Sequence, residues 1–315
     1  MFRKWGAIVL GLAIIAGGGA SAGRAEEPNY RRIEDVIYGR KFGTALTLDV
    51  FTPVADAKGI GVVLVVSGGW VSGHDAVRPM ICQPLLDRGY TVFAVVHGSQ
   101  PRFTVPEIIP DINRAVRFVR HHAGRYGIDP DRIGITGASA GGHLSLMMGT
   151  DGSPGSATAA DPVERESSRV QAVACFFPPT DFLNYGKPGN RLVRAEDLGR
   201  TFRPAFDFRE IDRKTGLSVP IVDPERLKEI AREISPITHV TPDDAPTLIV
   251  HGDADPLVPL QQSETFLERL KAAGVPTRLI VKPGYGHGWL TLARDMATFA
   301  DWFDEHLKPR ESPAH

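Results

Sequence analysis

Short apolar runs alternate with amphipathic stretches along most of the chain. Two early runs, 33–38 and 46–51, alternate apolar and polar residues with a period near two, which is typical of an antiparallel hairpin at a sheet edge. Uninterrupted apolar runs predict buried strands at 61–67, 90–97, 133–136, 170–177, 247–252 and 277–281. The pattern predicts an α/β protein with a mostly parallel, doubly wound sheet and helices on both faces.

Helical periodicity fills several of the gaps between these strands. Apolar stripes at helical spacing predict helices within 108–119, 266–273 and 292–307. Between 180 and 234 the alternation is lost, and charged residues, Gly and Pro dominate apart from one short helix at 224–234, with Asp223 as its cap. We therefore expect one domain, 23–315, with a lid-like insertion at about 180–234.

Residues 1–22 have the layout of a secretory signal peptide. Arg3 and Lys4 precede an apolar run at 7–16, and Ala20-Ser21-Ala22 offers a small-residue cleavage site. A membrane anchor is the alternative, but the apolar run is well short of the roughly 20 residues that span a bilayer. We therefore expect a secreted or periplasmic protein with no stable membrane span after cleavage.

The formal net charge is −1 at pH 7, and loss of residues 1–22 would make it only slightly more negative. This near balance lacks the electrostatic footprint of a nucleic-acid binder, so we expect no nucleic-acid partner. Cys82 and Cys175 are the only cysteines. They could pair in an oxidising compartment, but each lies among apolar residues, which favours two buried free thiols.

The strongest chemical signal is the segment Gly137-Ala138-Ser139-Ala140-Gly141, which follows the predicted strand at 133–136 and precedes a helix-like stretch. A strand, G-x-S-x-G and a helix in this order form the sharp turn that exposes a nucleophilic serine. Glycine is needed on both sides because side chains would collide in so tight a turn. The sequence therefore predicts Ser139 as a nucleophile.

The segment Tyr126-Gly127-Ile128-Asp129-Pro130-Asp131-Arg132-Ile133, leading into the G-x-S-x-G turn, resembles α/β-hydrolase esterases of the feruloyl-esterase and acetylxylan-esterase type. It is also similar to the catalytic domain of prolyl oligopeptidases. The resemblance covers roughly 33–307. It implies an α/β-hydrolase fold and a serine esterase that forms an acyl-enzyme.

A serine hydroxyl needs a neutral imidazole to take its proton. His287 is the predicted base because it lies between glycines after the last strand, where this fold carries its histidine. The resembling families carry the acid in an H-G-x-x-D-x-x-V-P pattern, which selects Asp255. Asp253, in the same loop, and Asp181, after an earlier strand, remain alternatives.

Backbone N–H groups must stabilise the negative charge that develops on the substrate oxygen. We expect these donors to be Ala140, which follows the nucleophile, and Gly68 and Gly69, which follow the strand at 61–67. The H-G-G-G motif usual in the family is here Val66-Ser67-Gly68-Gly69, so the histidine that commonly braces the loop is absent. The residues predicted to line the substrate pocket are Trp70, His97 and Trp289.

The resemblance and the three predicted side chains imply hydrolysis of a small-molecule or polysaccharide-linked ester, with no cofactor and no metal. One alternative is a peptidase like prolyl oligopeptidase, although the propeller domain usual in those enzymes is not found in this sequence. A second alternative is a binding module of the same fold without catalysis, but such modules typically lack a member of the catalytic triad.

Overall fold

The computed structural model describes residues 28–308; the predicted secretion signal and the chain beyond residue 308 lie outside this range. The strands are β1 (Tyr30–Lys41), β2 (Thr44–Pro53), β3 (Gly61–Val65), β4 (Thr91–Val96), β5 (Ile133–Ala138), β6 (Ala172–Phe176), β7 (Arg209–Ile211), β8 (Ser218–Pro220), β9 (Thr247–Gly252) and β10 (Thr277–Lys282). The α-helices are α1 (Pro79–Leu86), α2 (Val105–His121), α3 (Ala140–Thr150), α4 (Pro224–Glu233), α5 (Gln261–Ala272) and α6 (Leu292–His306).

Eight strands form one sheet in the order β1-β2-β4-β3-β5-β6-β9-β10. β1 and β2 form an antiparallel hairpin at one edge, and β2 pairs antiparallel with β4. All other neighbours in this sheet are parallel. The α/β fold predicted from the apolar runs is confirmed, including the hairpin at the sheet edge.

Side chains of each strand alternate between two separate apolar cores, one on each face of the sheet. In β3, for example, Val63 and Val65 face the core formed with α2, α3 and α5, whereas Val62 and Leu64 face the core formed with α1 and α6. Cys175 lies in the first core and Cys82 in the second, so the sheet separates them. Both are free and buried, as predicted, and burial raises the pKa of the Cys82 thiol to about 12.

The insertion at 180–234 is packed against the core on the α3 side. Its residues Phe182, Phe206 and Leu227 are all buried there. The helix at its end is α4, and the Asp223 carboxylate caps it by accepting the Glu225 N–H, as predicted. The small β7–β8 hairpin was not predicted, because strands of three mostly exposed residues leave no apolar pattern.

No helix within residues 28–308 combines the length and apolar character required to cross a bilayer. The parallel strands place the loops after β3, β5, β9 and β10 at the same edge of the sheet. In open α/β sheets, this carboxyl edge is where functional side chains converge.

Candidate active site

Ser139 lies in the sharp turn between β5 and α3. Its backbone has φ 54° and ψ −119°, a conformation that costs a non-glycine residue roughly 1–3 kcal/mol. A Cβ on Gly137 would come within 2.5 Å of the Gly141 backbone, and a Cβ on Gly141 within 2.6 Å of the Val65 carbonyl oxygen. The two glycines therefore allow the close approach that holds Ser139 in this strained turn.

Three side chains from separate strand ends meet at this turn. His287 lies in the loop after β10, and its Nε2 is 2.9 Å from Ser139 Oγ. On the other side of the ring, Nδ1 is 2.7 Å from Oδ2 of Asp255, in the loop after β9. The geometry allows Nε2 to accept the serine proton while the Nδ1–H donates to the carboxylate.

The Asp255 carboxylate is surrounded by hydrogen-bond donors. Its Oδ1 accepts the backbone N–H groups of Leu257 and Val258 at 2.8 and 2.9 Å. Burial alone would raise the pKa of Asp255, but hydrogen bonds from His251, His287 and the Val258 N–H outweigh burial and hold the pKa well below its ordinary value. Asp255 is therefore charged at neutral pH.

The two alternative acids have other hydrogen-bond partners. Oδ1 of Asp253 accepts the N–H of Gly284 at 2.6 Å and so fixes the start of the loop that carries His287. Asp181 accepts the N–H groups of Leu183 and Asn184, which makes it a turn residue. Of the three predicted carboxylates, Asp255 is the one within hydrogen-bond distance of the His287 ring in the described part of the chain.

His251 is a buried neighbour of this acid that sequence reasoning missed. It is fully buried, its Nδ1 is 2.6 Å from Ser263 Oγ, and its Nε2 is 2.9 Å from the Val258 carbonyl oxygen. The same nitrogen lies 3.4 Å from Oδ2 of Asp255. His251 is the first letter of the H-G-x-x-D pattern, and that position was the available signal.

The predicted oxyanion donors differ in their hydrogen bonding. The N–H groups of Gly69 and Ala140 have no hydrogen-bond acceptor among residues 28–308, and Ala140 is the first residue of α3. The N–H of Gly68 instead donates to the Val71 carbonyl at 3.0 Å, and the Val71 N–H donates back. The prediction for Gly68 is therefore corrected: its N–H closes the loop. Of the three predicted donors, Gly69 and Ala140 are the two whose N–H groups have no acceptor among residues 28–308.

Other side chains brace the loop in place of the absent motif histidine. The Gln100 Nε2 donates to the carbonyl oxygens of Gly69, at 2.5 Å, and Thr201, at 2.9 Å. The Trp70 indole N–H donates to His143 Nδ1 at 3.2 Å, so the His143 Nε2–H donates to the Ile234 carbonyl at 2.7 Å. The hydrogen bonds to the carbonyl oxygens of Thr201 and Ile234 also connect the loop to the insertion.

His143 is fully buried, and burial lowers its pKa to about 4. The ring is therefore neutral at pH 7, as its role of accepting at one nitrogen and donating at the other requires. His97 occupies a comparable position behind the loop, with Nε2 2.8 Å from Ser67 Oγ and Nδ1 2.7 Å from the Gly98 carbonyl oxygen. Burial lowers its pKa to about 4 as well.

A cavity of about 210 Å³, here called cavity A, lies beside Ser139. Its walls are mostly apolar, and many of them come from the insertion. The loop that carries Gly68 and Gly69 is here called the oxyanion loop. Phe202 lies directly over this loop, because a Cβ on Gly69 would be 2.7 Å from the Phe202 ring. The lining residues are Gly69, Trp70, Ser139, Pro179, Phe182, Tyr185, Leu192, Asp197, Leu198, Gly199, Phe202, Leu257 and Val258.

Only one of the three predicted pocket residues, Trp70, lines cavity A. His97 does not reach it because it is 3% exposed and both of its ring nitrogens are bonded behind the loop. Trp289 packs its ring against Phe176 and Phe177, and its indole N–H donates to Asp295. The aromatic residues of the insertion, which the sequence did not single out, take their place.

Glu34, Asp49 and His74 have ligand atoms within 4.8 Å of one another, on the hairpin edge and near α1. Asp49 is already bonded to the Arg32 guanidinium at 2.5 Å, which places a positive charge where a cation would bind. The trio is therefore a structural ion-pair cluster, and it contributes no residue to the site at Ser139.

Several curated proteins of similar sequence are named esterases or ester hydrolases. LipM of Mycobacterium tuberculosis, named a probable carboxylic ester hydrolase, is 30% identical over 248 residues, which cover 77% of this chain and 52% of LipM. The chain spans about half the length of the curated relatives it matches.

Solved structures match over more of their length. A truncated carbohydrate esterase from gut microbiota superimposes with a TM-score of 0.70 at 27% identity, covering 90% of this chain and 99% of that one. The butyrate-bound esterase Est2 of Thermogutta terrifontis is 23% identical in sequence. Its superposition covers 90% of this chain and 97% of the Est2 chain with a TM-score of 0.67, so the two share the fold. These matches confirm the predicted resemblance to α/β-hydrolase esterases. Since the family model BD-FAE matches residues 48–270, well over half of the sequence, the chain belongs to the BD-FAE family.

Proposed function

We propose that this chain is a serine carboxylic-ester hydrolase in which Ser139 is the nucleophile, His287 the base and Asp255 the orienting acid. The observation that carries the proposal is the continuous hydrogen-bonded relay from Ser139 Oγ through the imidazole to a charged carboxylate. The names of the relatives support the reaction class.

In this mechanism Ser139 Oγ attacks the ester carbonyl carbon as its proton moves to His287 Nε2. The carbonyl oxygen becomes an oxyanion and accepts the N–H groups of Gly69 and Ala140. The carbon–oxygen bond to the alcohol then breaks, and His287 gives its proton to the departing alcohol oxygen. Water then attacks the acyl carbon as its proton moves to His287 Nε2. The bond between this carbon and Ser139 Oγ breaks, His287 returns the proton to Ser139 Oγ, and the carboxylic acid is released.

A fluorophosphonate probe tests the proposal directly, because it labels only an activated serine. We expect one label per chain in the wild type, no label in Ser139→Ala, and hydrolysis of nitrophenyl acetate that is lost in the same variant. Labelling that persists in Ser139→Ala would refute the assignment of the nucleophile. A folded wild type that neither labels nor hydrolyses would support a binding module, and cleavage of a proline anilide but not of nitrophenyl acetate would support a peptidase.

For the substrate, we propose an ester of a short or aromatic acid attached to a small alcohol or to a plant polysaccharide. The apolar walls and about 210 Å³ of cavity A suit an acyl group of this size, and the carbohydrate esterase relative supports a sugar-linked alcohol. Nitrophenyl esters of increasing acyl length, acetylated xylan and methyl ferulate make up the decisive panel. Equal rates on all acyl lengths would argue against a bounded acyl cavity.

We further propose that residues 1–22 direct secretion to the periplasm or medium and are then removed. The apolar run of this segment supports the proposal. Expression of the full chain in a bacterial host, fractionation and amino-terminal sequencing of the product test it. Recovery of uncleaved protein from the cytoplasm alone would contradict it.

A further inference from the structure

A second cavity, here called cavity B, lies on the opposite face of the sheet from the insertion. It has a volume of about 250 Å³, and its walls come from the ends of β3 and β5, from α1 and from α6. Its lining residues are Leu64, Val65, Val66, Ser67, Gly68, Ala76, Arg78, Ile81, Thr136, Gly137, Ala138, Phe176, Leu292 and Met296.

Two wall residues of cavity B are next in sequence to residues of the proposed site. Ala138 immediately precedes Ser139, and Gly68 immediately precedes Gly69, the proposed oxyanion donor. A Cβ on Gly68 would meet no atom within 4 Å, so the loop leaves open space on this side. Cavities A and B therefore flank the oxyanion loop, one on each side.

Two polar groups distinguish cavity B from a packing defect. Thr136 is 1% exposed, and its hydroxyl has no hydrogen-bond partner among residues 28–308. Leaving a buried hydroxyl unpaired costs roughly 1–3 kcal/mol, so such a group points to a partner supplied by a bound molecule. Arg78, the one charged lining residue, is exposed and forms no ion pair within the described part of the chain.

The position of the base, His287, indicates whether the acyl half or the alcohol half of an ester would occupy cavity B. His287 must hand its proton to the alcohol oxygen, so the alcohol leaves from the histidine side of the carbonyl carbon. Phe176, in the wall of cavity B, is followed by Phe177, whose ring centroid is 4.4 Å from that of His287. Leu292, another wall residue, lies just after the loop that carries His287.

We infer that cavity B is the binding site for the leaving alcohol and that it selects alcohols with an apolar body and an anionic group, which Arg78 binds. The inference rests on the proposed ester hydrolase function. A guanidinium recognises a carboxylate through paired, charge-assisted hydrogen bonds, and the apolar walls of cavity B exclude water from the rest of the alcohol.

Two acetate esters, one with a charged and one with a neutral leaving group, test this: para-acetoxybenzoate and its methyl ester. Release of the phenol is measured and corrected for spontaneous hydrolysis, and each ester is compared between wild type and variant, so that the different acidities of the two phenols cancel. We expect Arg78→Gln to lower kcat/KM for the charged ester roughly five- to tenfold and to lower that for the methyl ester much less. Arg78→Lys should retain most of the preference, and added salt should weaken it. Arg125→Gln is the matched control, because Arg125 is also exposed but lies near the amino end of β5, away from Ser139.

Binding to the Ser139→Ala protein separates this inference from the proposed function, since no catalysis is needed. The product alcohol, para-hydroxybenzoate, should bind more tightly than its methyl ester, and Arg78→Gln in the same background should abolish the difference. Thr136→Val should raise the melting temperature of the free protein and weaken product binding several-fold.

Equal binding of both alcohols, or a charge preference that survives Arg78→Gln, would overturn the inference while leaving ester hydrolysis intact. A preference for nitrophenyl hemisuccinate over nitrophenyl butyrate that depends on Arg78 would also overturn it, because the acyl half would then occupy cavity B. Absence of any hydrolysis or fluorophosphonate labelling by the wild type would instead refute the proposed function.

Discussion

Gln100 connects the oxyanion loop to the insertion, and its replacement by leucine offers a demanding test of the site. Leucine keeps the bulk of this buried side chain but removes both hydrogen bonds, to the carbonyl oxygens of Gly69 and Thr201. Each neutral hydrogen bond contributes about 0.5–1.5 kcal/mol net, so roughly 1–3 kcal/mol is removed. Because the N–H of Gly69 is a proposed oxyanion donor, we expect part of this loss to appear in the transition state.

A loss of about 1.4–2 kcal/mol of transition-state stabilisation lowers kcat roughly 10- to 30-fold. This effect is smaller than the roughly 10²- to 10³-fold fall in kcat that is typical when an oxyanion donor is removed altogether. Steady-state kinetics with nitrophenyl acetate should show a fall in kcat with little change in KM, since the carbonyl is only weakly polarised in the ground state.

Gln83→Leu is the matched control, because the Nε2 of this glutamine also donates two hydrogen bonds, to Asn29 and Asp87, but on the outer surface of α1. It should lower stability without changing kcat. If Gln100→Leu and Gln83→Leu lower the melting temperature equally and neither changes kcat, Gln100 does not position the oxyanion loop and the reasoning fails.

Three further outcomes are expected. Asp255→Asn should lower kcat about 10³- to 10⁴-fold because the amide favours the wrong imidazole tautomer, whereas Asp253→Asn should cost less than about threefold; similar losses in both would contradict the assignment of the acid. The pKa of the His143 ring is 6.5 in the unfolded chain and about 4 in the folded protein, so protonation in this window favours the unfolded state. The free energy of unfolding should therefore fall as the pH drops, by about 2 kcal/mol at pH 5 from His143 alone. Urea unfolding at pH 7 and pH 5 measures this. His143→Gln should make the dependence shallower, with His97 contributing the remainder through its own lowered pKa; an equally steep wild type and variant would refute it. Phe202→Ala should enlarge cavity A and raise kcat/KM for longer acyl chains relative to acetyl, which a nitrophenyl ester series would reveal; an unchanged ranking would show that Phe202 does not bound the acyl group.

Much of the site was readable from the sequence because its signals are local. The G-x-S-x-G turn fixes Ser139 through the close approach of its glycines, and the H-G-x-x-D pattern selects Asp255 over Asp253. His287 follows from its place between the last strand and the last helix. The turn at Ser139 depends on short-range steric contacts, whereas the choices of Asp255 and His287 rest on the resemblance to α/β-hydrolase esterases and on the chain order of that fold.

The apolar pattern of this sequence determined the sheet, its edge hairpin and the helices on its two faces, since burial of alternate side chains acts between near neighbours in the chain. The glycines of G-x-S-x-G determined the turn at Ser139, through steric exclusion at close range. Only the tertiary structure decided that Gly68 closes its own loop, that His97 faces the back of that loop, and that Gln100 and His143 brace it. It also decided which aromatic residues line cavity A, and that Arg78 and Thr136 both line cavity B. These outcomes depend on hydrogen bonds and contacts between segments many residues apart, and the direction of a single side chain across such a contact leaves no periodic trace in the sequence.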